Sequence, residues 1–105
     1  MLSTSDISQK CKNILQKHYL SRFQGLVLYG SVARQQENLS SDIDLMVLLN
    51  KPFDYVQELR QIVDLLYAVQ LESEWLISAK PAAVDEFERG SIQLYRNIKQ
   101  EGQMF

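Results

Sequence analysis

GLVLYGSVARQQENLSSDIDLMVLL runs from Gly25 to Leu49. Its two ends, GLVLYG and DIDLMVLL, are short and almost wholly apolar, the character of strands buried on both faces. The polar segment between them opens with Gly30-Ser31 and closes with Asp42-Ile43-Asp44. Because side chains alternate along a strand, Asp42 and Asp44 fall on one face while Ile43, Leu45, Val47 and Leu49 fall on the other. Two carboxylates with a strand rise of roughly 6.7 Å between them repel each other, and hard divalent cations such as Mg²⁺ relieve that repulsion. At the other end the electrostatics are opposite. Gly30 ends a strand and Ser31 begins a predicted helical turn, so unpaired amides and a hydroxyl face outward where a phosphate can sit. Glycine also lets the backbone approach an anion closely.

SVARQQ supplies one or two helical turns and ENLSS the return loop, which together bring the anion cradle beside the carboxylate pair. That arrangement suits a nucleoside triphosphate carrying Mg²⁺. Separately the two pieces are weak signals, since Gly-Ser is a common turn and Asp-x-Asp a common strand edge; their joint placement carries the reading. Arg34 lies one turn past Ser31 and reads equally as a charge partner of the triphosphate or as a surface arginine bridging to an acid. Ser40 and Ser41 shape the loop into the second strand.

Outward from this unit, the pattern predicts helices. Ser3 and Ser5 offer N-caps for a first one with Ile7, Cys11, Ile14 and Leu15 on a single face, ending near Tyr19. Asp54 caps the longest, whose expected stripe is Tyr55, Leu59, Ile62, Val63 and Leu66. EWLIS, Glu74 to Ser78, reads as a third strand closed by Pro81. VDEFER forms a helical turn, Gly90 a break, and a last helix begins near Ser91 with Ile92, Tyr95 and Ile98 inward and Gly102 as its stop. The expected architecture is α/β: a small mixed sheet of three to four strands with helices packed on one face and the other face open, all in a single domain over 1–105.

Composition narrows the function. The 105 residues are 46% hydrophobic and 23% charged with a formal net charge of −2, which describes a folding globular chain without the basic footprint of a nucleic-acid binder. The one cysteine, Cys11, lies on an apolar stripe and reads as core, and a chain without disulfide-forming pairs suits a reducing compartment. With no leader-like start and no membrane-length apolar run, the expectation is a cytoplasmic, unprocessed protein with no membrane contact. His18, the lone histidine, suits a helix C-terminus better than a metal site. Trp75 and Tyr95 read as core aromatics, and Arg96 and Lys99 as a solvated helix face.

LYGSVARQQENLSSDIDLMVLL resembles the signature of the polymerase-β-like nucleotidyltransferases, in particular the minimal nucleotidyltransferase (MNT) proteins: Gly-Ser, about ten residues, then Asp-x-Asp among apolar positions. FERGSIQLYRNIKQEG is similar to the tail of the MntA-type antitoxins that accompany HEPN ribonuclease toxins. The resemblance implies that Gly30 and Ser31 hold the triphosphate of ATP, with Arg34 beside them, and that Asp42 and Asp44 bind Mg²⁺. It implies transfer of AMP to a tyrosine hydroxyl of a HEPN toxin, which is thereby silenced, within a hetero-oligomer of the two proteins. The family also takes a third carboxylate from the next strand. Glu74 matches that position best, and Glu72 shares its parity, so Asp42, Asp44 and Glu74 are the expected catalytic and metal-binding set for two Mg²⁺ ions. Two other functions remain open from the residues: an antitoxin that only covers its toxin, and a nucleotidyltransferase acting on a small molecule or an RNA end.

Overall fold

A computed structural model describes residues 2–30 and 42–105. The expected turns of SVARQQ and ENLSS, and with them Ser31, Arg34, Ser40 and Ser41, lie outside the described residues.

Helix α1 covers Thr4–Tyr19 and starts in a reciprocal cap: the Ser3 hydroxyl accepts from the Asp6 amide at 3.0 Å, and the Asp6 carboxylate accepts from the Ser3 amide at 3.1 Å. Strand β1, Phe23–Tyr29, begins two residues before the expected Gly25. Gly25 sits instead inside the strand, where the pairing register shifts. Strand β2 is Ile43–Leu49 and helix α2 is Tyr55–Glu72, capped by Asp54, whose side chain accepts from the Gln57 amide. Strand β3 is Ile77–Ala83, helix α3 Val84–Arg89, helix α4 Gln93–Glu101 and strand β4 Gln103–Met104.

The sheet order is β3-β2-β1-β4, with β2 and β3 parallel and the other neighbours antiparallel. β1 and β2 are therefore the two inner strands, which is why their sequences are continuous apolar runs. One face carries Leu26, Leu28, Ile43, Leu45, Val47 and Leu49 against Ile7, Cys11 and Leu15 of α1 and Ile62, Leu66 and Val69 of α2. Leu45 has no exposed surface at the middle of this layer. Leu45→Ala should lower stability by about 2–5 kcal/mol, read as a fall in the denaturant midpoint at unchanged slope.

The mixed sheet has the expected class, and the structure changes three details. First, helices lie on both faces: Val27, Met46, Leu48 and Ala82 of the second face pack against Phe87 of α3 and Ile98 of α4. Second, the buried stripe of α2 is Ile62, Leu66 and Val69, while Val63 and Tyr55 are exposed; a step of one residue from Ile62 turns Val63 by about 100° away from the sheet. Third, β3 runs Ile77–Ala83 where Glu74–Ser78 was expected, and Pro81 lies within it. The physical reason is the edge. Ile43 donates its amide to the Leu76 carbonyl at 2.9 Å, and the alternation of bonding then turns the backbone of Pro81 outward, where a missing N–H costs the ladder nothing.

The bland readings of the isolated residues hold. Cys11 is buried and burial pushes its thiol up to about 12, which makes it inert core. His18 meets Tyr19 edge to face at 4.8 Å in the last turn of α1. Trp75 packs on the first core layer and Tyr95 on the second. Arg96 donates to the Gly90 carbonyl at 2.7 Å and Lys99 to the Glu88 carbonyl at 2.6 Å, so both tie α4 back to α3. No helix among the described residues is long and apolar enough to cross a membrane.

Candidate active site

α3 and α4 cover only part of the second face. At the end of the sheet where β1 finishes and β2 begins, that face is left to Asp42 and Asp44, which alternate with buried Ile43 and Leu45. Asp42 is exposed and Asp44 half-buried. Tyr29 of β1 is the antiparallel partner of Asp44, so the last residue of β1 stands beside the second aspartate and Gly30 follows directly.

Gly30 has φ of 82°, a conformation that L side chains rarely adopt. A Cβ built on it would fall on the Asp44 Oδ2 atom and lie 3.3 Å from Cγ. Only a residue without a side chain lets the chain leave β1 across the face of that carboxylate. The Gly-Ser end and the Asp-x-Asp end of the quoted stretch are thus in van der Waals contact through Gly30 and Asp44.

The electrostatics of Asp44 follow from this packing. Burial raises its pKa from the ordinary carboxylate value, the neighbouring Asp42 charge raises it further, and the Lys80 ammonium opposes the rise. Among the described residues no cation lies within ion-pair distance of either aspartate. Tyr29 is pushed upward as well, first by burial and then by the Asp44 charge. An acid whose folded pKa exceeds its unfolded one is worth most to stability at low pH, and that contribution is lost as pH climbs through the folded value. Ionised Asp44 therefore costs stability at neutral pH. Asp44→Asn should melt higher than the parent at pH 7, with the gap shrinking as pH falls toward the ordinary carboxylate range; thermal melts across that range test it.

β3 meets this site through its parallel register. Ser78 is level with Asp44 and Lys80 with Met46, so Ser78 and Lys80 share the face of the aspartates. Leu76, one step before the strand, carries the carbonyl bonded to the Ile43 amide and is 60% exposed.

The two candidate third carboxylates are placed elsewhere. Glu74 lies exposed in the bend before β3, two residues before the carbonyl that bonds Ile43. Glu72 ends α2 and pairs with Lys10 of α1 at 3.3 Å. Among the described residues no three His, Cys, Asp or Glu side chains form a group able to hold a metal ion, so the structure brings Asp42 and Asp44 together and does not bring Glu74 to them. The difference in strand bounds traces to Pro81: read as a strand terminator, it moves the expected strand toward the helix, with Ser78 at its end and Lys80 outside it. The run SAKPAA, too small and mixed for an interior strand, was the available signal of an edge.

The donor set that is present suits one hard divalent cation. Two carboxylates on one face, with no described cation in ion-pair distance, are oxygen ligands of the kind Mg²⁺ takes together with substrate phosphates.

The family model described as polymerase beta nucleotidyltransferase matches residues 9–105. The chain belongs to the polymerase beta nucleotidyltransferase family. This nucleotidyltransferase is 31% identical over 96 residues to the Methanocaldococcus jannaschii protein named "Putative protein adenylyltransferase MJ0604", the alignment covering 88% of this chain and 87% of that protein. Among solved structures its fold matches a toxin–antitoxin crystallised with AMP-PNP, at a TM-score of 0.60 and 19% identity over 91% of this chain and 70% of the other. It also matches a mutant of the toxin–antitoxin MntA-HpeT, at 0.59 and 17% identity over 98% and 71%. At such identities the likeness speaks for the nucleotidyltransferase fold, in agreement with the family model.

Proposed function

We propose that this enzyme is an MNT-type antitoxin that transfers AMP from ATP to a hydroxyl of a cognate toxin protein, with Asp42 and Asp44 as its catalytic carboxylates. The observation that carries the reading is the contact of the Gly30 backbone with the Asp44 carboxylate, which supports a phosphate site next to a divalent-ion site. The M. jannaschii relative, named as a protein adenylyltransferase, and the toxin–antitoxin complexes that share the fold support a protein acceptor and a toxin partner.

Within that reading, Asp42 and Asp44 would hold Mg²⁺ brought by ATP, which would supply charge neutralisation at the phosphates. Gly30 gives the phosphates close access to the backbone, with Ser31 next in the chain and Arg34 three residues beyond it. The acceptor oxygen forms a bond to the α-phosphorus, the bond from that phosphorus to the bridging oxygen breaks, pyrophosphate leaves with the electron pair, and the hydroxyl proton passes to water. Charge on the phosphates develops beside fixed groups rather than mobile solvent.

A protein acceptor suits the surroundings better than a small one. Val63, Tyr67 and Leu76 border one shallow depression, and each is more than half exposed. This apolar surface reaches the carboxylate end of the sheet through Leu76, whereas an enclosed pocket is what a small acceptor requires. The HEPN type of the toxin, the tyrosine acceptor and the cytoplasmic setting belong to the same proposal.

Co-expression with the product of the adjacent reading frame, followed by intact mass of that partner, tests it. The expected result is a partner heavier by whole AMP units, and no added mass when Asp42→Ala replaces the parent. Inhibition of the partner with its mass unchanged would favour an antitoxin that acts by covering its toxin.

A further inference from the structure

We propose that Ser78 and Lys80 make this a one-cation active site, in which the Lys80 ammonium binds the nucleotide phosphates where a second divalent ion would otherwise be required. The inference rests on Asp42 and Asp44 being the nucleotide-metal site.

Two-ion transfer needs enough carboxylate oxygen to hold cations about 3.5–4 Å apart on both the entering and the leaving oxygens. β2 supplies two carboxylates. β3, the strand in parallel register beside it, supplies to the same face the hydroxyl of Ser78, the ammonium of Lys80 and the methyl of Ala82. Its contribution is thus neutral at the level of Asp44 and positive one step further on. Glu74 precedes the strand and Glu72 is engaged by Lys10 of α1.

The lysine is more than a neighbour in the sequence. It stands one step beyond Ser78 on the face of the aspartates, it has no described carboxylate within ion-pair distance, and its side chain is exposed. A second divalent ion bound next to Asp44 would sit against this like charge with no third carboxylate beside it among the described residues. One ion together with a lysine avoids that conflict: Mg²⁺ is commonly held by one or two carboxylates plus phosphate oxygens, and an ammonium on a four-carbon stem reaches a phosphate as a point charge.

The test counts ions and measures nucleotide affinity, with no turnover involved. Mn²⁺ bound to the full chain is titrated by electron paramagnetic resonance in the presence of a non-hydrolysable ATP analogue. The parent should hold one Mn²⁺ per chain beyond the background of the free analogue complex, and Ser78→Asp, which restores a carboxylate level with Asp44, should raise the count to two. Lys80→Ala should leave the count at one and weaken the analogue by about tenfold or more, the worth of a charge-assisted contact, while Lys80→Arg recovers most of the loss. Two ions in the parent, or an unchanged analogue affinity in Lys80→Ala, would overturn the inference while leaving Asp42 and Asp44 as the site. Failure of the parent to bind Mn²⁺ and analogue together would remove the active-site assignment itself.

Discussion

Asp44→Ala is expected to lower AMP transfer by a hundred- to a thousandfold or roughly more, the scale on which removal of one preorganised charge-stabilising group acts. Asp42→Ala should behave alike, because both carboxylates leave β2 on one face and neither has a described cation to pair with in place of a metal. The loss is separable from unfolding. Asp44 is half-buried and carries a raised pKa caused first by burial and then by Asp42, so its charge burdens the folded state. The inactive Asp44→Asn protein should thus be the more stable one at neutral pH, an exchange of stability for function common at active sites. A protein that is inactive and also melts lower would point to damage elsewhere. Steady-state incorporation of labelled AMP, run beside thermal melts on the same preparations, reads both quantities.

Gly30→Ala carries the second large effect, and it acts through Asp44. A left-handed backbone costs an L residue roughly 1–2 kcal/mol on its own. At Gly30 the added methyl would also clash with the Asp44 Oδ2 atom, so either the carboxylate rotates off the site or the end of β1 shifts away from β2. Transfer should fall by about a hundredfold or more, as expected when a reacting group is displaced by an ångström or so. A double-mutant cycle isolates the cause. In an Asp44→Ala background the methyl meets no carboxylate, so the stability penalty of Gly30→Ala should shrink toward the backbone cost alone. Equal penalties in the two backgrounds would mean that the contact between glycine and carboxylate has no energetic consequence.

Much of the sheet around this candidate site is legible in the sequence, for reasons that are physical. β1 and β2 are inner strands buried on both faces, so their runs of Leu, Val and Ile stand out, and the parity of Asp42 and Asp44 follows from the run itself. α1 and α2 announce their starts because Ser3 and Asp54 satisfy orphan amides with their own side chains. Other parts left weak traces. β3 is an edge strand, and an edge tolerates proline and lysine that an inner strand would reject, so Pro81 reads as an end, which leaves Ser78 as the last residue of the expected strand and Lys80 beyond it. β4 is two residues long, too short for any period, and exists because Gly102 ends α4 where Gln103 and Met104 can pair with Leu28 and Val27. The covering of the second face by α3 and α4 depends on the return of the chain over the sheet, a tertiary fact that no local pattern contains. The third carboxylate came from resemblance rather than from residues, and the register of β3 puts a serine where it was sought.

The most direct measurement supplies the partner with ATP labelled either at the α- or at the γ-phosphate. Nucleotidyl transfer through Asp42 and Asp44 predicts that α-label enters the partner, that γ-label leaves as pyrophosphate, and that Asp44→Ala transfers neither. Entry of γ-label, or α-label transfer at the parent rate by Asp44→Ala, would contradict the account.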